Sequence, residues 1–271
     1  MRRRLLQLAD RRPLTLALAA TLVWHALLFA VDDLLPPLAP DWFPDLGAAV
    51  VNLVLAGLIV GLICWLRWQR ETALVWRRPD RSWWLLTPLL AEALVHLTGG
   101  LSGSATMLLS SAITMLTVGL AEETLSRGLV QRLLSPRGPA VAAVWVGLLF
   151  GFGHLLSGLW FERPLDDVAF QVVNTAAYGF CLAALRWHVG TLWPLVVLHA
   201  LVDVTSINSP GALPFAVQCL IVVLLVGYGW ELLRRLRRAD EPGDDLGGEG
   251  DQGQPAARVR RAADQEQPGH G

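Results

Sequence analysis

The chain contains no lysine, and all 22 of its basic residues are arginine. Charge of either sign is scarce, at 17% of 271 residues, where a soluble domain usually carries about a quarter. That scarcity excludes an ordinary water-facing surface. The formal net charge of −1 offers no basic field for a nucleic acid, and no such partner is expected. Cysteine is limited to Cys64, Cys181 and Cys219, in separate apolar segments with no Cys-x-x-Cys spacing. A disulfide frame or a cysteine zinc site is thereby excluded, and the three read as small buried hydrophobes. A His-Glu-x-x-His zinc-protease motif is also missing, as is any internal repeat.

Apolar sequence is what the chain has in abundance. Hydrophobic residues make up 54%, and mean hydropathy is +0.46. They fall in blocks of roughly 18–22, the length that crosses a hydrocarbon core. The expected spans are 14–31, 46–66, 83–101, 105–134, 139–159, 168–186, 190–207 and 213–231. The fold class is therefore all-α: a polytopic membrane bundle of about eight transmembrane helices. The fourth span reads as one long helix, because Thr114 to Leu134 contains no proline and Pro136 then ends it. The basic stretch before residue 14 leads into a membrane helix rather than a cleaved signal, since Asp32-Asp33 follows where small residues would mark cleavage.

Arginine-rich loops (2–12, 67–81, 132–137, 186–188 and 234–238) alternate with neutral or acidic ones. The positive-inside rule then expects a multi-pass protein of the cell (inner or plasma) membrane with both termini cytoplasmic. Tryptophans near the span ends, among them Trp42, Trp65, Trp76, Trp84, Trp160 and Trp230, fit the bilayer interfaces. From about Ala239 the composition turns to Gly, Asp, Glu, Gln, Pro and Arg, and disorder is expected. The organisation expected is 1–104 for the first three spans, 105–207 for a core of spans four to seven, 208–238 for the last helix and its basic end, and 239–271 for the tail. Arginines at 234–238 suit anionic lipid headgroups.

Ionisable residues inside spans are costly and need a reason. The larger set comprises Glu122, Glu123 and Arg127 on span four, His154 on span five, and His199 and Asp203 on span seven. Glu123–Arg127 and His199–Asp203 are i,i+4 pairs, so each pair shares a helix face. Glu122 then points about 100° away, toward a neighbouring helix. Counted from the cytoplasmic ends of their spans, Glu122, His154 and His199 lie roughly 18, 22 and 12 Å deep. Glycines around His154 (Gly147, Gly151, Gly153, Gly158) allow close helix approach. The plainer reading makes these residues polar glue between helices, but three helices bringing acid and imidazole to similar depth favour a site.

A smaller set, Glu92 and His96 on span three, is also i,i+4 and can form a hydrogen bond, a helix–helix contact or a small aqueous pocket. Its Glu-x-x-x-His spacing is not that of a di-iron bundle. His25 is expected near the outer interface, His188 at the surface, and His270 in the tail.

Together the segments Glu122-Glu123-x-x-x-Arg127, Phe150-x-x-x-His154 and His199-x-x-x-Asp203 resemble the CPBP (Abi, or CAAX-protease-like) family of intramembrane proteases over residues 105–207. The resemblance implies hydrolysis of a peptide bond in a membrane-associated protein or peptide. It implies that Glu122 and His154 activate water, and that His199 and Asp203 stabilise the oxyanion. The residue types suit that chemistry, which needs a base for water and a donor for the developing charge. Glu123 and Arg127 would fix helix rotation and compensate charge. Asp203 departs from an amide in that it donates only when protonated. Otherwise it orients His199 or ligates a metal. Two histidines and carboxylates are ligand types for zinc, so the cofactor stays open, with a metal-independent glutamate mechanism preferred. Two other classes also stay open: a non-catalytic scaffold or immunity-type membrane protein, and a proton-coupled transporter.

Overall fold

The computed structural model describes residues 2–34, 39–211 and 213–240, and no strand occurs among them. Of the tail expected to be disordered from residue 239, the first two residues are helical and the rest, His270 included, lie outside the described residues. A short amphipathic helix, α1 (Arg2–Arg11), leads into α2 (Pro13–Leu34). The order continues with α3 (Leu46–Leu66), α4 (Thr87–His96), α5 (Ala105–Glu123), α6 (Gln131–Leu134), α7 (Pro139–Trp160), α8 (Leu165–Val189), α9 (Trp193–Asn208) and α10 (Phe215–Asp240). Among the described residues, six helical stretches are long and apolar enough to cross a membrane: 13–31, 46–66, 105–137, 139–160, 165–189 and 215–239.

The other two expected spans are helical but built differently. The third is no uniform α-helix. A 3-10 helix, Arg81–Leu86, precedes α4, and a 3-10 turn, Leu97–Gly99, follows it. Asp80 caps the first piece by accepting from the Ser82 amide at 2.8 Å, and Pro88 fits the first turn of α4, where its missing N–H costs nothing. The three pieces still cover about 33 Å by their rises. α9 covers only about 24 Å, and its apolar length of 16 residues is short for a lone span.

The long helix expected at 105–134 is continuous, but not α-helical throughout. Residues Thr124–Val130, all buried, form a π-helical turn between α5 and α6. Such turns shift the register of every side chain that follows and often mark functional positions.

The arginine-bearing segments gather at one end of the bundle. Arg2 donates to the Leu66 carbonyl at 3.0 Å, Arg186 to that of Glu71, and the Arg132 guanidinium lies 4.7 Å over Trp68. Thr191 and Trp193 bond to the carbonyls of Val75 and Leu74. At the opposite end Ser209 bonds to the carbonyls of His96 and Gly100. Helices cross closely where glycine replaces a side chain. A Cβ on Gly147 would lie 2.7 Å from the Ala176 carbonyl, and one on Gly151 2.7 Å from that of Val172. α7 and α8 therefore pack backbone to backbone, a small-residue contact typical of membrane interiors.

Two expectations are corrected. Cys181 is buried, but Cys64 is exposed and Cys219 half-buried, because a membrane bundle has an apolar outside on which a thiol costs nothing. His188 is no surface residue: it is half-buried, and its Nε2–H donates to the Leu232 carbonyl of α10 at 3.0 Å.

Candidate active site

α5 approaches α9 most closely at Gly119, where a Cβ would lie 2.9 Å from the Val196 carbonyl and 3.6 Å from the His199 Cβ. That contact sets Glu122 and Glu123, one turn further along α5, against His199. The ring of His199, 4% exposed, is ringed by carboxylates. Its Nδ1–H donates to Glu123 Oε1 at 2.8 Å. Its Nε2 lies 3.5 Å from Glu122 Oε2 and 3.5 Å from Asp203 Oδ2. Only an imidazole with protons on both nitrogens can donate in both directions.

Glu123 and Arg127 are each 0% exposed, with Nη1 2.9 Å from Oε1. This is an ion pair by distance, although the guanidinium lies outside hydrogen-bond geometry. The same guanidinium lies 4.3 Å over the Phe150 ring, a cation–π contact that adds to its hold. Phe150 also meets the rings of His154 and His199 edge-on at 4.8 and 5.9 Å. It thus organises three of the polar residues.

Five of the six residues expected from sequence, Glu122, Glu123, Arg127, His199 and Asp203, form one contact network. His154 stands apart from it. Its Nδ1–H donates to the Phe150 carbonyl at 3.0 Å, which leaves Nε2 as the acceptor nitrogen of a neutral ring. His154 meets Glu122 across a cavity of about 20 Å³, room for about one water molecule. Thr21, His25, Ser126 and apolar side chains complete the wall.

Two features of the site, His25 and Tyr178, escaped sequence reading. His25 lines the cavity rather than the outer interface, which corrects its expected place. Counting depth from Pro13 would have found it, since twelve residues give about 18 Å, level with Glu122. Tyr178 of α8 lies 5.5 Å from the His199 ring, with its hydroxyl buried and unpartnered. No sequence signal marked it. Glu92 is buried with Oε2 unpartnered, on the helix that packs against α9. Among the described residues no hydrogen bond joins it to His96.

The donor set was tested against a metal. Zinc needs about four ligands converging at 2.0–2.3 Å. Among the described residues no three His, Cys, Asp or Glu are grouped that way, and Glu123 is engaged by Arg127 and His199. The residues as placed do not fit a zinc site.

A wider apolar groove of about 750 Å³ opens on the other side of α5. Trp76, Trp83, Leu116, Leu120, Trp193 and Leu198 line it, and Leu198 directly precedes His199.

Residues 104–205 match the family model described as type II CAAX prenyl endopeptidase Rce1-like. No curated protein and no solved structure matches the chain. The matched segment begins at the Ser104 cap of α5 and ends on α9, so it holds all six residues of the candidate site. The chain is thus a multi-pass membrane protein whose residues 104–205 match an Rce1-like type II CAAX prenyl endopeptidase model, consistent with the CPBP resemblance of its motifs.

Proposed function

We propose that the protein is an intramembrane endopeptidase that cleaves a peptide bond of a membrane-associated protein or peptide with water activated by Glu122 and His154. The observation that carries this reading is the water-sized cavity those two residues share inside the bundle. A buried carboxylate and imidazole with room for one water between them form the minimal apparatus of a general-base hydrolase. In the reaction Glu122 takes a proton from the water, whose oxygen attacks the carbonyl carbon. The carbonyl electron pair moves onto oxygen and is stabilised by N–H donation from His199. When the C=O re-forms and the C–N bond breaks, His154 carries the proton from Glu122 to the leaving amine. Asp203 either donates to the oxyanion in its protonated form or holds His199 toward it. Glu123 and Arg127 fix the rotation of α5 and the orientation of His199.

The apolar groove supports a substrate with a hydrophobic arm, either a lipid chain, as the family description suggests, or a transmembrane segment. The positive-inside rule supports a cytoplasmic arginine-bearing end, with both ends of the described chain on that side. The test is cleavage by the purified, folded protein in proteoliposomes, offered a library of membrane-associated peptides and read by mass spectrometry. Discrete cleavage is expected. No cleavage across the library would favour a non-catalytic scaffold of the same fold.

A further inference from the structure

The cavity between Glu122 and His154 has a second imidazole in its wall, which the proposed reaction leaves unused. His25 comes from α2, outside the segment that matches the family model. Its ring is 7% exposed. Nδ1–H donates to the Thr21 carbonyl at 2.8 Å, one helical turn back. His154 is tied in the same way to Phe150. In the neutral ring each of these bonds leaves Nε2 as the acceptor.

The position of His25 is closely constrained. A Cβ on Gly153 would lie 2.5 Å from its Cε1 and 2.6 Å from its Nε2, so the ring edge rests on bare backbone beside His154. Trp24 and Phe29 flank it, with ring centroids 4.8 and 6.0 Å away. The titratable groups acting on it are Glu122 from α5 and His154 from α7. Packing alone does not ask for histidine here, since an apolar ring would seal the same contact without placing a polar nitrogen in a membrane interior.

A water molecule has two protons, and Glu122 takes one. We propose that His25 is a positioning residue for the hydrolytic water, its Nε2 accepting the second O–H so that an oxygen lone pair is left facing the scissile carbonyl. The inference rests on the peptidase reading. His25 gains and loses no proton in the step: the transferred proton leaves water for Glu122 and reaches the amine through His154.

The test compares kcat and KM of wild type, His25→Phe, His25→Gln and Gly153→Ala, each checked for folding by its melting curve. His25→Phe should lower kcat about 10- to 100-fold with KM within about twofold, the cost of a misplaced reactant. His25→Gln should restore most of the loss, because an amide oxygen still accepts. Gly153→Ala, which displaces the ring and leaves its chemistry intact, should lower kcat likewise, and adding it to His25→Phe should cost no more. If His25→Phe does not fold, Gly153→Ala and His25→Gln carry the comparison. A wild type that cleaves, with Glu122→Gln inactive and the His25 and Gly153 variants at wild-type kcat, overturns the role of His25 alone. A folded wild type that cleaves nothing overturns the peptidase reading and this inference with it.

Discussion

Arg127→Met removes a charge from the least accessible part of the bundle. Both partners of the Glu123–Arg127 pair are 0% exposed, so the substitution strands a carboxylate in a low-dielectric interior. Breaking a buried pair from one side costs about 3–5 kcal/mol. Methionine refills part of the volume, and Glu123 still accepts from His199 at 2.8 Å, so the low end applies. A cost of about 3 kcal/mol shifts the folded-to-unfolded ratio about 150-fold. Adding Glu123→Gln removes the stranded charge, and the double variant should regain about 2 kcal/mol, within the range of contacting pairs. Reversible unfolding in mixed micelles with graded SDS, followed by tryptophan fluorescence, measures all three variants. The reasoning is refuted if Arg127→Met costs under about 1 kcal/mol, or if the two substitutions are simply additive.

Other outcomes follow from the same geometry. Asp203→Asn should keep cleavage, since an amide donates to an oxyanion, whereas Asp203→Ala should lose about 10²–10³ in kcat; an Asp203→Ala variant as active as wild type would remove Asp203 from the site. Gly119→Val should abolish cleavage while circular dichroism stays helical, because its Cβ would meet the Val196 carbonyl at 2.9 Å and push α9 with His199 away from α5; an active variant would show that the contact is dispensable. The Ser82 hydroxyl and amide hold the Asp80 carboxyl below its usual range. The stability from this cap is thus complete above the unfolded Asp value of about 3.9 and is lost as pH falls through the lower folded value. Hydrogen exchange at the Ser82 amide, corrected for its intrinsic rate, should stay flat down to about pH 4 and rise below it; a rise already near pH 6 would contradict this.

Much of this architecture was legible because the bilayer writes itself into sequence. Span length, arginine alternation and interfacial tryptophan marked segments that are all helical, though not the short α1, and a polar residue in an apolar run is conspicuous. The i,i+4 rule placed Glu123 on Arg127 and His199 beside Asp203 before any coordinates. Rotation and neighbour choice were not legible. α2 is apolar on every side, so nothing in its composition says that His25 faces inward; bare backbone at Gly153 on another helix decides that. The same holds for Tyr178, one aromatic among many. The π-helical turn at Thr124–Val130 has no composition of its own, being a register change that buried packing imposes. The 3-10 segments around α4 left clearer traces in Asp80, Ser82 and Pro88, which a uniform span of 83–101 passed over.

The central claim is that Glu122, and not its neighbour, activates the hydrolytic water. It is tested most directly by kcat, KM and melting temperature for wild type, Glu122→Gln and Glu123→Gln on one cleaved membrane peptide. The account predicts that Glu122→Gln loses at least about 100-fold in kcat with KM and melting temperature unchanged, while Glu123→Gln melts lower because Arg127 loses its partner. Cleavage by Glu122→Gln at the wild-type rate would contradict it.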